Sequence, residues 1–266
     1  AAGLSGSSDG TGSAARFGNP FGVAVSSSGT LFVTDSLLRG SSRFPVFEYT
    51  IRKVTPDGVV STLVSTAGSS AQIGEPRGLA VDAAGNGFFA DYGNGTVCRL
   101  TSDGTIATLA GFRSSAISQP AYADGTGRGA RFANPSGVAL DRNGNLYVAD
   151  TNNNAIRKIT PNGVVTTLAG AANQIGAGAD GVGGTARFVA ANGLAVDGNG
   201  NVLVADLHTL RRVAADGTVT TIAGTWGVFG GEGPTTAPAQ FVGARCVAVD
   251  SQGSVLFSSG RTLQRL

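Results

Sequence analysis

Four aspartates at equivalent positions are the residues of this chain best suited to bind a cation. Asp82, Asp141, Asp197 and Asp250 each follow a short apolar run and open an Asp-x-x-Gly turn. If the four carboxylates converged, they could form an acidic mouth that holds a hard cation such as calcium. An aspartate at this position can also cap its own turn. The residue recurs in every unit but the first, where Ser26 stands, and this recurrence favours turn capping.

Zinc and nucleophile chemistry have little support in the sequence. The chain has one histidine, His208, and two distant cysteines, Cys98 and Cys246, whereas a zinc site needs several convergent ligands. His208 could still act as a lone general base. The two cysteines fall in units that are not neighbours, so a disulfide between them is disfavoured.

Two sets of charged residues recur at fixed offsets. A ligand clamp would be expected once, so we interpret the first set as hydrogen bonds and ion pairs between neighbouring units. It comprises Asp9, Asp124 and Asp180 with Arg16, Arg131 and Arg187 just downstream. The second set is expected to spread positive charge around the molecule. It comprises Arg52, Lys53, Arg99, Arg157, Lys158, Arg211, Arg212 and Arg265.

The elements that position these residues come from one repeated stretch, residues 132–170. Four runs of strand length occur in it, at 137–141, 145–150, 155–159 and 164–168. An Asn-Gly pair lies between the first two and another between the last two, and this pair favours a tight hairpin turn. The stretch therefore predicts four antiparallel strands, a to d. One such sheet buries too little apolar surface to be stable alone, so copies must pack face to face.

Five copies of the stretch account for nearly the whole chain. Their opening residues are Phe17, Ile73, Phe132, Phe188 and Phe241, spaced by 56, 59, 56 and 53 residues. Four-stranded sheets repeated at this period predict an all-β fold, a β-propeller of five blades in a single domain, residues 1–266. The predicted blades are residues 17–68, 73–111, 132–170, 188–224 and 241–266.

The fifth blade is expected to lack its outer strand. Its copy stops at Leu266, at the end of strand c, while Ala1-Ala2-Gly3 aligns with the Leu-Ala-Gly that ends strand d. An open edge of this kind invites pairing, so self-assembly through the last blade is one expected mode of association. The chain has no methionine, and we expect it to be a processed product or a segment of something longer.

The third copy carries a recognisable family pattern. Its sequence ARFANPSGVALDRNGNLYVADTNNNAIRKITPNGVVTTLAG resembles the NHL repeat, and the other copies resemble it more loosely. The resemblance implies an NHL-like β-propeller. Such propellers include binding modules for proteins, RNA and small ligands as well as lyases and lactonases, so it implies no single function.

The two faces of the predicted propeller differ in their loops. The a-to-b and c-to-d turns share one face and are all short, whereas the b-to-c loops and d-to-a connections share the other and carry the irregular segments. Function usually sits on such variable loops. Aromatic residues and arginines of the kind found in binding hot spots are predicted on this loop face, unless they cap the blade tops as local core. The candidates are Arg39, Arg43, Phe44, Phe47, Tyr49, Phe112, Tyr122, His208, Trp226 and Phe229.

Composition excludes few classes of protein. The net charge of +2 is too small to indicate nucleic-acid binding by itself. No apolar run approaches the roughly 18 to 20 residues that span a bilayer.

Asn94-Gly95-Thr96 is an N-glycosylation sequon in a predicted loop. The two unpaired cysteines leave the redox compartment open, and the resemblance and the missing methionine favour an extracellular, secreted or cell-surface location, or the periplasm in a bacterium.

We therefore expect a non-catalytic binding or assembly module that contacts a protein or glycan partner through its loop face, with no cofactor. One alternative is an enzyme resembling the calcium-dependent lactonase or lyase propellers, with the four turn aspartates as ligands. A second alternative is an RNA-binding propeller, which would require a basic loop face.

Overall fold

The structure is a computed structural model that describes residues 5–41, 44–67, 73–112, 122–172, 178–227, 241 and 243–266. It is all-β, and its five antiparallel sheets surround a common axis as a five-blade β-propeller. The predicted fold class is confirmed. Among the described residues, no helix is long and apolar enough to cross a membrane.

Each blade is a meander whose strands follow one another from the axis outward, preceded in blades 1, 3 and 4 by a two-residue strand. Blade 1 contains β1 (Gly10–Thr11), β2 (Asn19–Val25), β3 (Leu31–Ser41), β4 (Phe44–Val54) and β5 (Val59–Ser65). Blade 2 contains β6 (Pro76–Val81), β7 (Gly87–Asp91), β8 (Thr96–Leu100) and β9 (Ile106–Gly111). Blade 3 contains β10 (Gly125–Thr126), β11 (Pro135–Leu140), β12 (Leu146–Asp150), β13 (Ala155–Ile159) and β14 (Val164–Gly170). Blade 4 contains β15 (Gly181–Val182), β16 (Ala191–Val196), β17 (Val202–Asp206), β18 (Thr209–Val213) and β19 (Thr218–Gly224). Blade 5 contains β20 (Val247–Val249), β21 (Val255–Ser259) and β22 (Thr262–Arg265). Four short 3₁₀ helices complete the described elements: Gly12–Ala14, Gly127–Gly129, Thr151–Asn153 and Gly183–Thr185.

The hairpin turns form where the sequence predicts them. In blade 3 the Asp141 amide donates to the carbonyl of Asn145, and the Gly144 amide donates back to Asp141. Gly144 has a φ of 79°, in the left-handed region that other residues rarely adopt. The same construction recurs in blades 2, 4 and 5.

The inner strands of successive blades pack against one another at a glycine that recurs in blades 1 to 4. A Cβ at Gly78 would lie 2.5 Å from the carbonyl oxygen of Ser136 in the next blade, and Gly22, Gly137 and Gly193 make equally close approaches. Apolar side chains fill the space between blades. Val138 of blade 3, for example, packs in one cluster with Ala90 and Val97 of blade 2.

The short strands β1, β10 and β15 pair with the outer strands β5, β14 and β19 of their own blades. Sheets of five strands result in blades 1, 3 and 4. Blade 5 has three strands among the described residues, so the prediction that its outer strand is missing is confirmed for that part of the chain.

A buried arginine joins the layers within blades 1, 3 and 4. In blade 3 the Arg157 guanidinium lies 2.7 Å from Asp124 in the outer segment and 2.7 Å from Asp150 at the end of β12. It also donates to the carbonyls of Arg131 and Ala123. Arg52 and Arg211 make the equivalent contacts in their blades, and all three side chains are buried.

Two sequence interpretations are corrected by these contacts. The recurring aspartates do not pair with the arginines just downstream, because Arg131 instead donates to the carbonyls of Arg128 and Ala130 beside the 3₁₀ helix. Arg16 and Arg187 do the same in their blades. The pairs also lie within a blade and not between neighbouring blades. Because three of the strand-c arginines are buried and paired, that set does not spread its charge evenly over the surface.

Blade 2 lacks this arginine and has Cys98 in its place. The thiol lies 3.6 Å from the Thr96 hydroxyl, and burial raises the pKa of Cys98 to about 11. Cys246 is exposed, and both cysteines are free.

Candidate functional site

The irregular segment between strands b and c of blade 1 is a long β-hairpin on the loop face. β3 and β4 each run for 11 residues, and their pairing continues from Leu31↔Val54 to Ser41↔Phe44. The equivalent strands of blades 2 to 4 have five residues each. The hairpin therefore extends beyond the rest of its blade as a paired, twisted ribbon.

One side of the hairpin is apolar and exposed. Phe47 and Tyr49 stack with ring centroids 6.1 Å apart, and Leu38 lies opposite Phe47 in the register. The exposed fraction is 50% for Phe47 and 53% for Leu38, whereas Tyr49 is half-buried against the core between blades 1 and 2. We call Leu38, Phe47 and Tyr49 the hairpin face. Side chains two apart in a strand share a side, so the hairpin face is turned toward blade 2.

The opposite side of the hairpin fastens it to its own blade. Arg39 lies 2.9 Å from Glu48 across the hairpin and donates to the Ser7 hydroxyl. Glu48 accepts a hydrogen bond of 3.0 Å from Ser65 in β5. Arg39, predicted as a partner-binding residue, is thus engaged in holding the hairpin.

Next to the hairpin face stands a stacked arginine that sequence analysis missed. The Arg77 guanidinium lies 3.3 Å from the Tyr92 ring centroid and 5.5 Å from that of Phe21. Glu75 lies 2.7 Å from the same guanidinium. We call Phe21, Arg77 and Tyr92 the arginine stack. Its signal in the sequence is the variable position between Pro and Gly in strand a of the first three blades, which is Phe in blade 1 and Arg in blade 2.

Electrostatics link the two clusters. Burial raises the pKa of Tyr49, and the negative charges of Glu75 and Asp91 raise it further, opposed by Arg77. The Tyr49 hydroxyl is therefore close enough to the arginine stack for these charges to act on it.

A buried carboxylate holds the loop that carries the stack. Asp91 accepts hydrogen bonds from the amides of Gly74 and Glu75 and from the side chain of Asn94. Burial raises the pKa of Asp91, and it outweighs the opposing effect of these hydrogen bonds, so the net pKa is raised. Asn94 of the sequon thus has its amide nitrogen 2.7 Å from a buried carboxylate, an arrangement that the equivalent Asn153 repeats beside Asp150.

The remaining predicted residues fall into separate places. Tyr122 is part-exposed, with its hydroxyl 2.6 Å from that of Thr167 and its ring over Arg157, and Phe112 lies over Arg131. His208 is buried, and its Nδ1 lies 3.1 Å from the carbonyl of Phe241. Trp226 lies 6.4 Å from the His208 ring. Arg43 and Phe229 lie outside the described residues, as does the side chain of Phe44.

The four turn aspartates accept hydrogen bonds inside their own turns. Asp141 accepts from the amides of Asn143 and Asn145 and from the Asn145 side chain. Asp197 repeats the whole arrangement, Asp82 accepts from the amide and the side chain of Asn86, and Asp250 accepts from the amides of Gln252 and Ser254. The turns of blades 3, 4 and 5 border a cavity of about 530 Å³ on the short-turn face. Within the part of the chain that the structure describes, no three His, Cys, Asp or Glu side chains are grouped to hold a metal ion.

Residues 132–159 match the NHL repeat family. The protein is a five-blade β-propeller whose third blade carries an NHL repeat. Over 226 residues this propeller is 26% identical to Teneurin-3 of Danio rerio, which covers 72% of the chain. A shorter stretch of 57 residues, 21% of the chain, is 42% identical to Protein SUPPRESSOR OF QUENCHING 1, chloroplastic, of Arabidopsis thaliana. The chain spans 8% and 5% of the lengths of these two relatives.

Solved structures share the fold of this β-propeller at low sequence identity. A protein of unknown function from Bacteroides thetaiotaomicron has a TM-score of 0.60 at 20% identity, with 98% of this chain and 72% of that one covered. A streptogramin B lyase has a TM-score of 0.59 at 14% identity, with coverage of 94% and 66%. An auxiliary nutrient binding protein from B. thetaiotaomicron has the same TM-score and identity, with coverage of 91% and 67%. At these identities the likeness is one of fold.

Proposed function

We propose that this NHL-repeat propeller is a non-catalytic binding module that holds a protein or glycan partner on its loop face. The contact surface is the hairpin face together with the arginine stack. The module acts outside the cell, or in the periplasm of a bacterium, and needs no cofactor.

The observation that carries the proposal is the exposure of Phe47 and Leu38 on a hairpin that an ion pair and a hydrogen bond fasten on its other side. Large apolar side chains held in water by a rigid element are typical of binding sites, because their burial by a partner is favourable and costs little ordering entropy.

The neighbouring Arg77 adds directional chemistry. Its guanidinium is held flat against Tyr92 and is neutralised in part by Glu75. A planar cation fixed in this way can donate hydrogen bonds to a peptide carbonyl or carboxylate or to sugar hydroxyls, while the aromatic rings supply apolar contact. Both predicted partner classes, protein and glycan, fit this combination. The fold likeness to an auxiliary nutrient binding protein is compatible with a binding role.

The test is a paired screen of a glycan microarray and a peptide array with the wild-type protein and the double variant Leu38→Ser/Phe47→Ser. We expect ligands of the wild type to bind the double variant at least about tenfold more weakly, because two apolar anchors are lost. Val164→Ser is the matched control, since Val164 is 40% exposed on an outer strand of blade 3. Ligands that bind the double variant as tightly as the wild type would contradict the proposed surface.

The absence of a cofactor is tested by melting the protein in calcium and in EDTA. We expect equal melting temperatures, because the carboxylates of Asp141 and its equivalents already accept hydrogen bonds from their turns. A calcium-dependent rise that Asp197→Asn abolishes would favour the calcium-dependent enzyme alternative, since a ligand that binds only the folded state raises its stability.

A further inference from the structure

The hairpin of blade 1 extends beyond the strand that lies outside it. The outer neighbour of β4 is β5, which ends at Ser65, opposite Thr50, whereas β4 begins at Phe44. Thr66 adds one last contact: the Tyr49 amide donates to its hydroxyl, and the Thr66 amide donates to the Tyr49 carbonyl. Beyond this contact no described strand lies outside β4. We call the outer side of β4 at residues 45–48 the open edge.

The main-chain groups of Phe47 point out of the open edge. The amide and the carbonyl of Tyr49 are both directed at Thr66 and therefore away from β3. The pairing of β3 with β4 runs to Ser41↔Phe44 without a shift of register. Because main-chain direction alternates along an antiparallel ladder, Phe47 has the same orientation as Tyr49. Its N–H and C=O groups have no partner among the described strands.

Pro45 marks the same side of β4 as an edge. It lies two residues before Phe47, so its nitrogen and its carbonyl also point outward. Proline has no N–H to donate, and sheets tolerate it where that group would face away from a neighbouring strand. The open edge therefore offers one donor, the Phe47 amide, and two acceptors, the carbonyls of Phe47 and Pro45.

The side chains that flank the open edge are apolar. Phe47 is 50% exposed on one side of the hairpin and Val46 is 61% exposed on the other. The nearby charges of Arg39 and Glu48 are paired with each other. Donors and acceptors at strand spacing, with apolar side chains on both sides, match the main chain of an extended peptide. The hydroxyl groups of a glycan have no such alternation.

We propose that the partner of the hairpin face binds as an extended peptide, which adds one antiparallel strand to the open edge of β4. This inference rests on the proposed function and selects protein from its two partner classes. One peptide residue lies opposite Phe47 and exchanges two hydrogen bonds with it. The residue two further along the peptide donates its amide to the Pro45 carbonyl. Apolar side chains of the peptide then cover Phe47 on one side and Val46 on the other.

The test is a scan of main-chain N-methylation. Its probes are the array peptides that bind the wild type and lose binding to the double variant Leu38→Ser/Phe47→Ser. Each peptide is remade with one nitrogen methylated at a time, and its affinity is measured by fluorescence polarisation. We expect a loss of about tenfold or more at two positions two residues apart, because each loses a hydrogen bond and the methyl group meets the edge. The position between them is the matched control, since its nitrogen points away from β4 and its methylation should change affinity little.

Hydrogen exchange followed by NMR locates the added strand on the protein. In the free protein we expect the Phe47 amide to exchange fast, and in the peptide complex to exchange about tenfold more slowly or more, because the added strand accepts its hydrogen bond. The Tyr49 amide is the internal control. It already donates to Thr66, so peptide binding should leave its exchange nearly unchanged.

The outcomes separate this inference from the proposed function. Peptides that need Leu38 and Phe47, yet show no alternation on N-methylation and leave the Phe47 amide fast, would overturn strand addition and keep the binding surface. Ligands found among glycans and not among peptides would have the same meaning. Ligands that bind the double variant as tightly as the wild type would contradict both.

Two further results concern the free protein, and either would overturn the inference. Slow exchange of the Phe47 amide at every protein concentration would show that the chain covers its own edge. Slow exchange that becomes fast on dilution, with a dimer mass by light scattering, would assign the open edge to a second copy of the chain.

Discussion

At the scale of single residues, the buried arginines explain why three blades share the same charged set. Arg157 is enclosed by Asp150 and Asp124, and each carboxylate also accepts hydrogen bonds from backbone amides. An ion pair removed from water is stable only when every partner is present, because an uncompensated buried charge is costly. The stability of blades 1, 3 and 4 therefore depends on the buried arginine together with both of its aspartate partners.

Replacing Arg157 with methionine is expected to lower the free energy of unfolding by about 3 to 5 kcal/mol, because Asp150 is left buried without its cation. Arg142→Met is the control, since Arg142 is exposed, and it should change stability by less than about 0.5 kcal/mol. Urea titrations followed by circular dichroism measure both. If both variants changed the free energy of unfolding by equally small amounts, the ion pair would contribute little to stability.

The pH dependence of stability is expected to carry the signature of the same carboxylate. Burial raises the pKa of Asp150 to about 6 in the folded protein, against 3.8 for the free side chain. Between these values the folded state binds the proton more tightly, so the contribution of Asp150 is full below pH 4 and is lost as the pH rises toward 6. Asp150→Asn should remove this part of the slope from unfolding free energies measured between pH 4 and 6. An unchanged slope in the variant would contradict the raised pKa.

The exposed partner carboxylates act in a different pH range. Burial alone would raise the pKa of Asp124, but hydrogen bonds from Arg157 and Thr167 outweigh it, and the net pKa is lowered. Its contribution is therefore present above pH 4 and is lost below it. Between pH 4 and 6, the change in unfolding free energy therefore reports on buried carboxylates such as Asp150 and not on Asp124.

The sequence identified these charged sets but paired them wrongly. Recurrence showed that Asp124 and Arg131 belong to a structural device, yet the partner of Asp124 is Arg157, 33 residues away. The partner of a charged side chain depends on which strands are neighbours and on which side chains are buried. The distance between two residues along the sequence gives neither piece of information. The Cys98 position shows that the same blade can form without the arginine.

At the scale of elements, the glycine of each inner strand sets the distance between blades. Gly137→Ala is expected to destabilise the protein by about 2 to 4 kcal/mol, because the new methyl group would collide with the Asn192 backbone. Gly198→Ala is the control, because a Cβ there meets nothing within 4 Å. Thermal melting compares the two variants. If both melt together with the wild type, the seams are looser than the structure implies.

The hairpin of blade 1 was predicted only in part from the sequence. The sequence marked residues 36–49 as irregular and rich in aromatic residues, and it placed them on the loop face. It did not predict that β3 and β4 continue as paired strands, because Gly40 and Pro45 interrupt the pattern of a regular strand. In the structure these two residues face each other in the register, near the hairpin tip. The arginine stack was missed because its members belong to different blades.

At the scale of the whole molecule, the repeat period was sufficient to predict the propeller, and the structure confirms it. Each blade packs mainly on its neighbours. The stability of the molecule is therefore close to a sum of contributions from each blade and from each interface, or seam, between neighbouring blades. Ring closure depends instead on one seam between residues far apart in the chain. The sequence pattern is weakest there, since Cys246 replaces the repeat glycine.

This arrangement predicts a gradient of local stability along the ring. Blade 3 has covered seams on both sides, and β13 is almost wholly buried, whereas β22 of blade 5 exposes Leu263 and has no outer neighbour among the described strands. Strands with few buried contacts open at lower free energy than the rest of the molecule. In hydrogen exchange measured by mass spectrometry, amides of β22 should therefore exchange at least about tenfold faster than those of β13. Equal protection of the two strands would mean that the molecule opens as one unit.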